Sequence, residues 1–167
     1  AKESFADFPF SVWQTGSGTQ TNMNANEVIA HVYPELQIHP NDDVNKGQSS
    51  NDVFPSAMHI MATRMVEENL IPTMQYVRSV LAELGKQHMN TLKTGRTHLQ
   101  DATPLSFGQE VSAWEMMFTQ GIAQLEDSLK YLHLLTMGGS AVGTGLNTYE
   151  GFGQDVCDAL NERLGTQ

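Results

Sequence analysis

Three short polar segments of this 167-residue chain hold the residues whose types and spacing could do chemistry. The first is Thr15-Gly16-Ser17-Gly18-Thr19-Gln20-Thr21-Asn22, where two glycines free the backbone and Ser17, Thr19, Thr21 and Asn22 offer short donors. Carboxylate or phosphate oxygens suit such a cluster, and so does a plain solvated turn. No Gly-Lys-Ser/Thr follows, so it is not a P-loop, and the missing third glycine excludes a dinucleotide fingerprint. The second segment is His39-Pro40-Asn41-Asp42-Asp43-Val44-Asn45-Lys46-Gly47-Gln48-Ser49-Ser50-Asn51. Its acids and amides suggest calcium, but counting an EF-hand from Asp43 puts Phe54 where the loop's final glutamate belongs. Ser49, Ser50 and Asn51 fall where a helix should begin, so side-chain donors and free backbone N–H groups there can converge on one anion; Ser50 or Asn51 can equally be a simple cap. The third, Thr94-Gly95-Arg96-Thr97-His98-Leu99-Gln100-Asp101, contains His98, able to exchange a proton near neutral pH, although a lone loop histidine is more often structural or exposed. No Ser/His/Asp triad or CxxC pair competes with it.

Helices must position these segments. From Phe107 the apolar residues Val111, Trp114, Phe118, Ile122, Leu125, Leu129 and Leu132 follow at steps of three and four, the stripe of a long amphipathic helix. With Pro104 in its first turn and Gly138-Gly139 as its end, its length is about 30 residues, well beyond an average helix and typical of a bundle. A second helix is expected from Ser50 to Asn69. Pro72 then opens a third, with Met74, Val77, Val80, Leu81 and Leu84 on one side, and Tyr149 to Leu164 forms a fourth. Met58, Met61, Met65 and Met74 are expected to pack as core. Strand patterns are almost absent, so the fold class is mainly α, and a fourth polar segment runs from Gly138 to Asn147.

Composition narrows the partners. The net charge is -10, from 19 acidic and 9 basic residues, which makes nucleic acid and anionic membrane surfaces poor partners and repels a dianion at long range. Local donors must overcome that field. No apolar run approaches the roughly 20 residues of a membrane span, and the opening residues lack the apolar core of a secretory signal. The single cysteine, Cys157, fits a reducing compartment such as cytoplasm or mitochondrial matrix.

Four stretches in this order, TGSGTQTNMNANEV from Thr15, HPNDDVNKGQSSNDVFP from His39, TGRTHLQDATPL from Thr94 and GGSAVGTGLNT from Gly138, resemble the fumarase/aspartase superfamily and most closely its class II fumarases. The resemblance covers nearly the whole chain. Aspartases typically read GRTQLQDA and NPNDHVN where this chain has His98, His39 and Asp43, so fumarase is favoured over aspartate ammonia-lyase, the alternative from a neighbouring class.

The resemblance implies a long-helix bundle and a reversible hydration of fumarate to L-malate, within the tricarboxylic acid cycle, with no metal or organic cofactor. Ser17, Gly18, Thr19, Ser49, Ser50, Asn51 and Thr97 match residues that hold the substrate carboxylates, and His98 matches a proton donor or acceptor. His39, Pro40, Asn41 and Asp42 match a second dicarboxylate site outside the catalytic pocket. Arg96 and Lys46 would add positive charge. The resemblance also implies a homotetramer whose active sites combine loops from three subunits, residues 1–49 in an N-terminal domain and 50–167 in a central helical domain. The family's downstream loop, with a motif like GSSxMPxKxNP and a catalytic serine, has no counterpart after Thr148, and the stretch from Glu27 to His39 is shorter than usual. A partial chain is therefore expected, which by itself would be a noncatalytic helical fragment.

Overall fold

Helical periodicity decides most of the backbone in the computed structural model, which describes residues 5–166 and so leaves the reading of residues 1–4 outside it. Its helices are α1 (Thr19–Ala30), α2 (Ser50–Met65), α3 (Ile71–Gln87), α4 (Phe107–Leu132) and α5 (Phe152–Leu164). One antiparallel hairpin joins them, β1 (Leu92–Thr97) and β2 (Gln100–Ser106). The mainly α class follows. The chain divides into two compact units, one formed by Ala1–Ile60 with Leu134–Gln167 and the other by Met61–His133.

In the unit Met61–His133, α3 packs along α4. The expected stripe supplies the centre: Ile122 and Leu129 are buried with Ile71, and Val66, Met74, Leu125 and Leu132 pack around them. Fully burying one such aliphatic side chain contributes about 1.5–3 kcal/mol. Near the other end of the pair, Val111 is fully buried and Gly108 faces Gly85. A Cβ on Gly108 would lie 2.5 Å from the Gly85 carbonyl oxygen and 2.6 Å from Met89 Cα, so only glycine allows the two backbones to approach this closely.

Three expectations change along α2, α3 and α4. The long helix starts at Phe107 rather than in the turn of Pro104, and Pro104 lies in β2 opposite Thr94. Ser106 starts it with a capping box: its Oγ accepts the Gln109 N–H at 3.0 Å and its own N–H donates to Gln109 Oε1 at 2.9 Å. Pro72 does not separate two helices. Between α2 and α3 the residues Val66–Leu70 form a π-helical turn closed by the Ile71 N–H on the Val66 carbonyl, and that wider turn accommodates a proline that has no N–H for an α-helical bond. Finally, Met58, Met61 and Met65 are not core: each is more than half exposed, and among the described residues only Met74 of the stripe packs against the buried centre.

In the other unit α1 buries amides as well as Ala30. Asn22, Asn24 and Asn26 are all buried, and the Asn24 Nδ2 donates to the Asp7 carbonyl at 2.9 Å. At the far end α5 begins at Phe152, capped by Gly151, whose φ of 90° excludes a continuous helix from Tyr149. Tyr149 instead packs edge-on against Phe152 and donates its hydroxyl to Asp155 at 2.8 Å.

Candidate substrate-binding loops

The first polar segment ends in a helix start. Gly18 precedes α1 with φ 79°, a left-handed value open mainly to glycine, and the Asn22 N–H closes the first turn on its carbonyl at 3.0 Å. Gly18 is buried beneath Phe54, while Ser17 and Thr19 on either side are exposed and free to meet a ligand. Phe54 belongs to the first turns of α2, so this contact brings the Ser17–Thr19 segment to the start of α2, the place of Ser49, Ser50 and Asn51. A second tie comes from Asn45, whose Oδ1 accepts the side-chain N–H groups of Asn22 at 3.1 Å and Asn26 at 3.0 Å.

At the start of α2 the cap is Ser49, one residue before the two expected. Its Oγ accepts the Asn51 N–H at 3.2 Å, and its N–H donates to Asp52 Oδ1 at 2.9 Å. Asp52 is 1% exposed, and its other oxygen accepts the Ser140 N–H at 2.8 Å. The fourth polar segment is thereby fastened to the second. Ser140 sits at φ 57°, the Asn51 Nδ2 donates to the Ala141 carbonyl at 2.8 Å, and the Thr136 hydroxyl donates to the Asp52 carbonyl at 3.0 Å. The spacing Ser49-x-x-Asp52 is a capping-box pattern that sequence reasoning could have caught; the bond to Ser140, 88 positions away, has no local signal.

His39 starts a π-helical turn, Pro40–Val44. Its ring Nδ1 accepts the Asp42 N–H at 3.1 Å while its own N–H donates to Asp43 Oδ2 at 2.8 Å. His39, Asn41 and Asp42 are exposed and Pro40 is half-buried, so a surface turn, stitched by its own side chains, carries all four residues of the expected second site.

Thr97 and His98 lie in the other unit, in the β1–β2 hairpin, where sequence reasoning expected an irregular loop. The chain reverses at His98 (φ 51°) and Leu99 (φ 61°), with Thr97 paired to Gln100 on either side. Two consecutive positive φ values define a tight turn of the type that matches strand twist. Arg96 opposes Asp101 across the ladder at 3.4 Å, so its charge is already partnered, whereas Lys46 of the second segment is exposed. At the base, Lys93 meets Glu110 of α4 at 2.6 Å, and the groove there is lined by Thr94, Gly95, Arg96 and Thr97. Both His98 and Thr97 are exposed, available to a ligand on the hairpin tip.

One unit thus offers neutral donors with the His39 imidazole, and the other offers Thr97 with the His98 imidazole. Among the described residues no group of three or more His, Cys, Asp or Glu side chains is placed to hold a metal ion, and no helix is long and apolar enough to cross a membrane. Cys157 is half-buried and unpaired by any disulfide.

The chain belongs to the family described as Lyase, which matches residues 2–167. Within it the chain is 54% identical over 162 residues to the class II fumarate hydratase of Listeria monocytogenes serotype 4b (strain F2365), covering 95% of this chain and 36% of that relative. It is also similar to the crystal structure of recombinant class II fumarase from Schistosoma mansoni, at 41% identity and a TM-score of 0.90 over 96% of this chain and 35% of that one. A more distant likeness is the fumarate lyase:delta crystallin of Brucella melitensis in native form, at 31% identity and a TM-score of 0.82 over 96% of this chain and 37% of that one. The chain thus spans about a third of the length of the relatives it matches. The class II fumarase likeness expected from the four motifs is the one these comparisons return.

Proposed function

We propose that the protein carrying this chain is a fumarate hydratase, interconverting fumarate and L-malate by acid–base chemistry. The observation that supports this most is the joining of Ser17, Gly18 and Thr19 to the start of α2 through the Gly18–Phe54 contact, which gathers two of the donor segments in one unit. Removing the proton next to a malate carboxylate leaves an aci-carboxylate dianion, so the reaction needs preorganised donors more than a metal or an organic cofactor. In this reading Ser17, Gly18, Thr19, Ser49, Ser50, Asn51 and Thr97 hold the carboxylates. His98 passes the proton, the hydroxyl of malate leaves as water, and the alkene forms between the two carbons. The same reading assigns a catalytic serine to a loop with a motif like GSSxMPxKxNP, which does not occur among these 167 residues.

The same reading makes His39, Pro40, Asn41 and Asp42 a second dicarboxylate site and the protein a homotetramer with each active site built from three subunits. It places residues 1–49 of this chain in an N-terminal domain and 50–167 in a central helical domain, a division distinct from the chain's compact units, and the enzyme in the tricarboxylic acid cycle of the cytoplasm or mitochondrial matrix. The exposed methionine face of α2 is in keeping with burial by other subunits.

The experiment is His98→Asn in the full-length protein, assayed with malate and with aspartate. The expected result is malate turnover reduced by at least about a hundredfold, as for loss of a general acid or base, with an unchanged circular dichroism spectrum. Near-normal turnover would remove His98 from the mechanism, and ammonia release from aspartate by the unaltered protein would replace hydration with deamination.

A further inference from the structure

We infer that Asp52 is a positioning residue for the substrate donors at Ser49–Asn51, acting through the segment that carries Ser140 and Ala141. The inference rests on the fumarate hydratase reading, which leaves Asp52 without a role. Asp52 is nearly inaccessible, so it cannot itself meet a substrate. What faces its carboxylate is a pair of backbone donors, the Ser49 N–H and the Ser140 N–H. A helix cap alone requires one acceptor oxygen, yet here the second oxygen is committed to a distant loop. Only a carboxylate accepts at both points; an amide in its place would turn an N–H toward one of the two donors.

The consequence for the neighbouring donors follows from their hydrogen bonds. Ser49 Oγ already accepts the Asn51 N–H, so its hydroxyl proton remains to be donated elsewhere. The Asn51 amide gives one N–H to the Ala141 carbonyl, which fixes the plane of the group and leaves its second N–H for an anion. That carbonyl is held in place because the preceding residue, Ser140, is anchored in a left-handed conformation by the Asp52 carboxylate. Below this, the Asp52 carbonyl takes the hydroxyls of Ser56 at 2.7 Å and Thr136 at 3.0 Å, so the hub is bound from both ends. Donors oriented before the ligand arrives need no reorganisation in the transition state.

A double-mutant cycle in the full-length protein tests this. Asp52→Asn is expected to lower kcat/KM for malate about tenfold or more, and to lower it by less than about threefold in an Asn51→Ala background, where the oriented donor is already gone. A role confined to stability would lower the melting temperature while leaving kcat/KM within about twofold, or would give equal losses in both backgrounds, and either result overturns the inference. Should Asp52→Asn not fold, Thr136→Val removes a single bond to the same hub: a loss of about threefold or more that vanishes in the Asn51→Ala background supports the role, and no loss overturns it. A wild-type protein inactive on malate would sink the functional reading along with it, whereas an active wild type with an indifferent Asp52→Asn sinks only the role of Asp52.

Discussion

A methyl group added to Gly18 would lie 2.2 Å from Cγ of Phe54, so the backbone of the first donor segment is in direct contact with a ring of α2. Two penalties therefore combine at one residue, a left-handed φ of 79° and a collision that the ring must move to relieve. Gly18→Ala is expected to cost about 2–4 kcal/mol in urea denaturation, from roughly 1–2 for the conformation and the rest for overpacking. In a Phe54→Ala background the collision is gone, and the same substitution should cost only the conformational part. Equal costs in both backgrounds would show that the contact does not constrain the segment.

Asn45 is the acceptor on which two buried amides converge, at 3.1 Å from Asn22 and 3.0 Å from Asn26. Asn45→Ala strands both donors where water has little access, and each unpaired group costs about 1–3 kcal/mol. The expected loss is at the upper part of that range or beyond it, measured by thermal unfolding. Asn45→Asp, which keeps the accepting oxygen, should recover most of it.

The centre of the α3–α4 pair is the place where side-chain volume counts most. Ile122 is 4% exposed between Ile71 and Leu129, and Ile122→Ala should destabilise by about 2–4 kcal/mol through lost burial and a residual cavity. Trp114 on the same helix is 43% exposed, so Trp114→Ala should cost clearly less in the isolated chain. Equilibrium denaturation ranks the two variants directly.

Tyr149 offers a pH test. Its hydroxyl donates to Asp155, and that bond, assisted by partial desolvation and by the Asp155 charge, holds the phenol above its ordinary range. A raised value in the folded state means that the bond's stabilisation is present in full below the ordinary tyrosine range and is lost as pH rises through the folded value. A spectroscopic titration of tyrosinate should show one midpoint move down in Asp155→Asn. An unchanged titration would disprove the interaction.

Legibility in the sequence tracked how local each cause is. The α4 stripe was readable because Val111, Ile122 and Leu129 repeat at helical steps and the helix buries that same side. The hairpin was not, because His98 and Leu99 carry no Asn-Gly signal and Leu92–Thr97 does not alternate polar with apolar residues. The methionine stripe of α2 misled for a related reason: periodicity tells which residues share a face but not whether this chain covers it, and Met58, Met61 and Met65 lie open. At the donor segments, residue types pointed to anion binding, and the structure added what types cannot carry, the links of Gly18 to Phe54 and Asp52 to Ser140.

The reversal at His98 and Leu99 sets foldability against chemistry. Two side-chain-bearing residues in left-handed conformations cost on the order of 1 kcal/mol each, and Asn-Gly would relieve most of that strain. Leu99 adds a fully exposed aliphatic side chain at the tip, which a stability-minded designer would also remove. Any directed evolution for heat resistance would therefore press first on the two residues at this turn, and under the proposed function the variants it enriched would be sturdier proteins that had lost their imidazole.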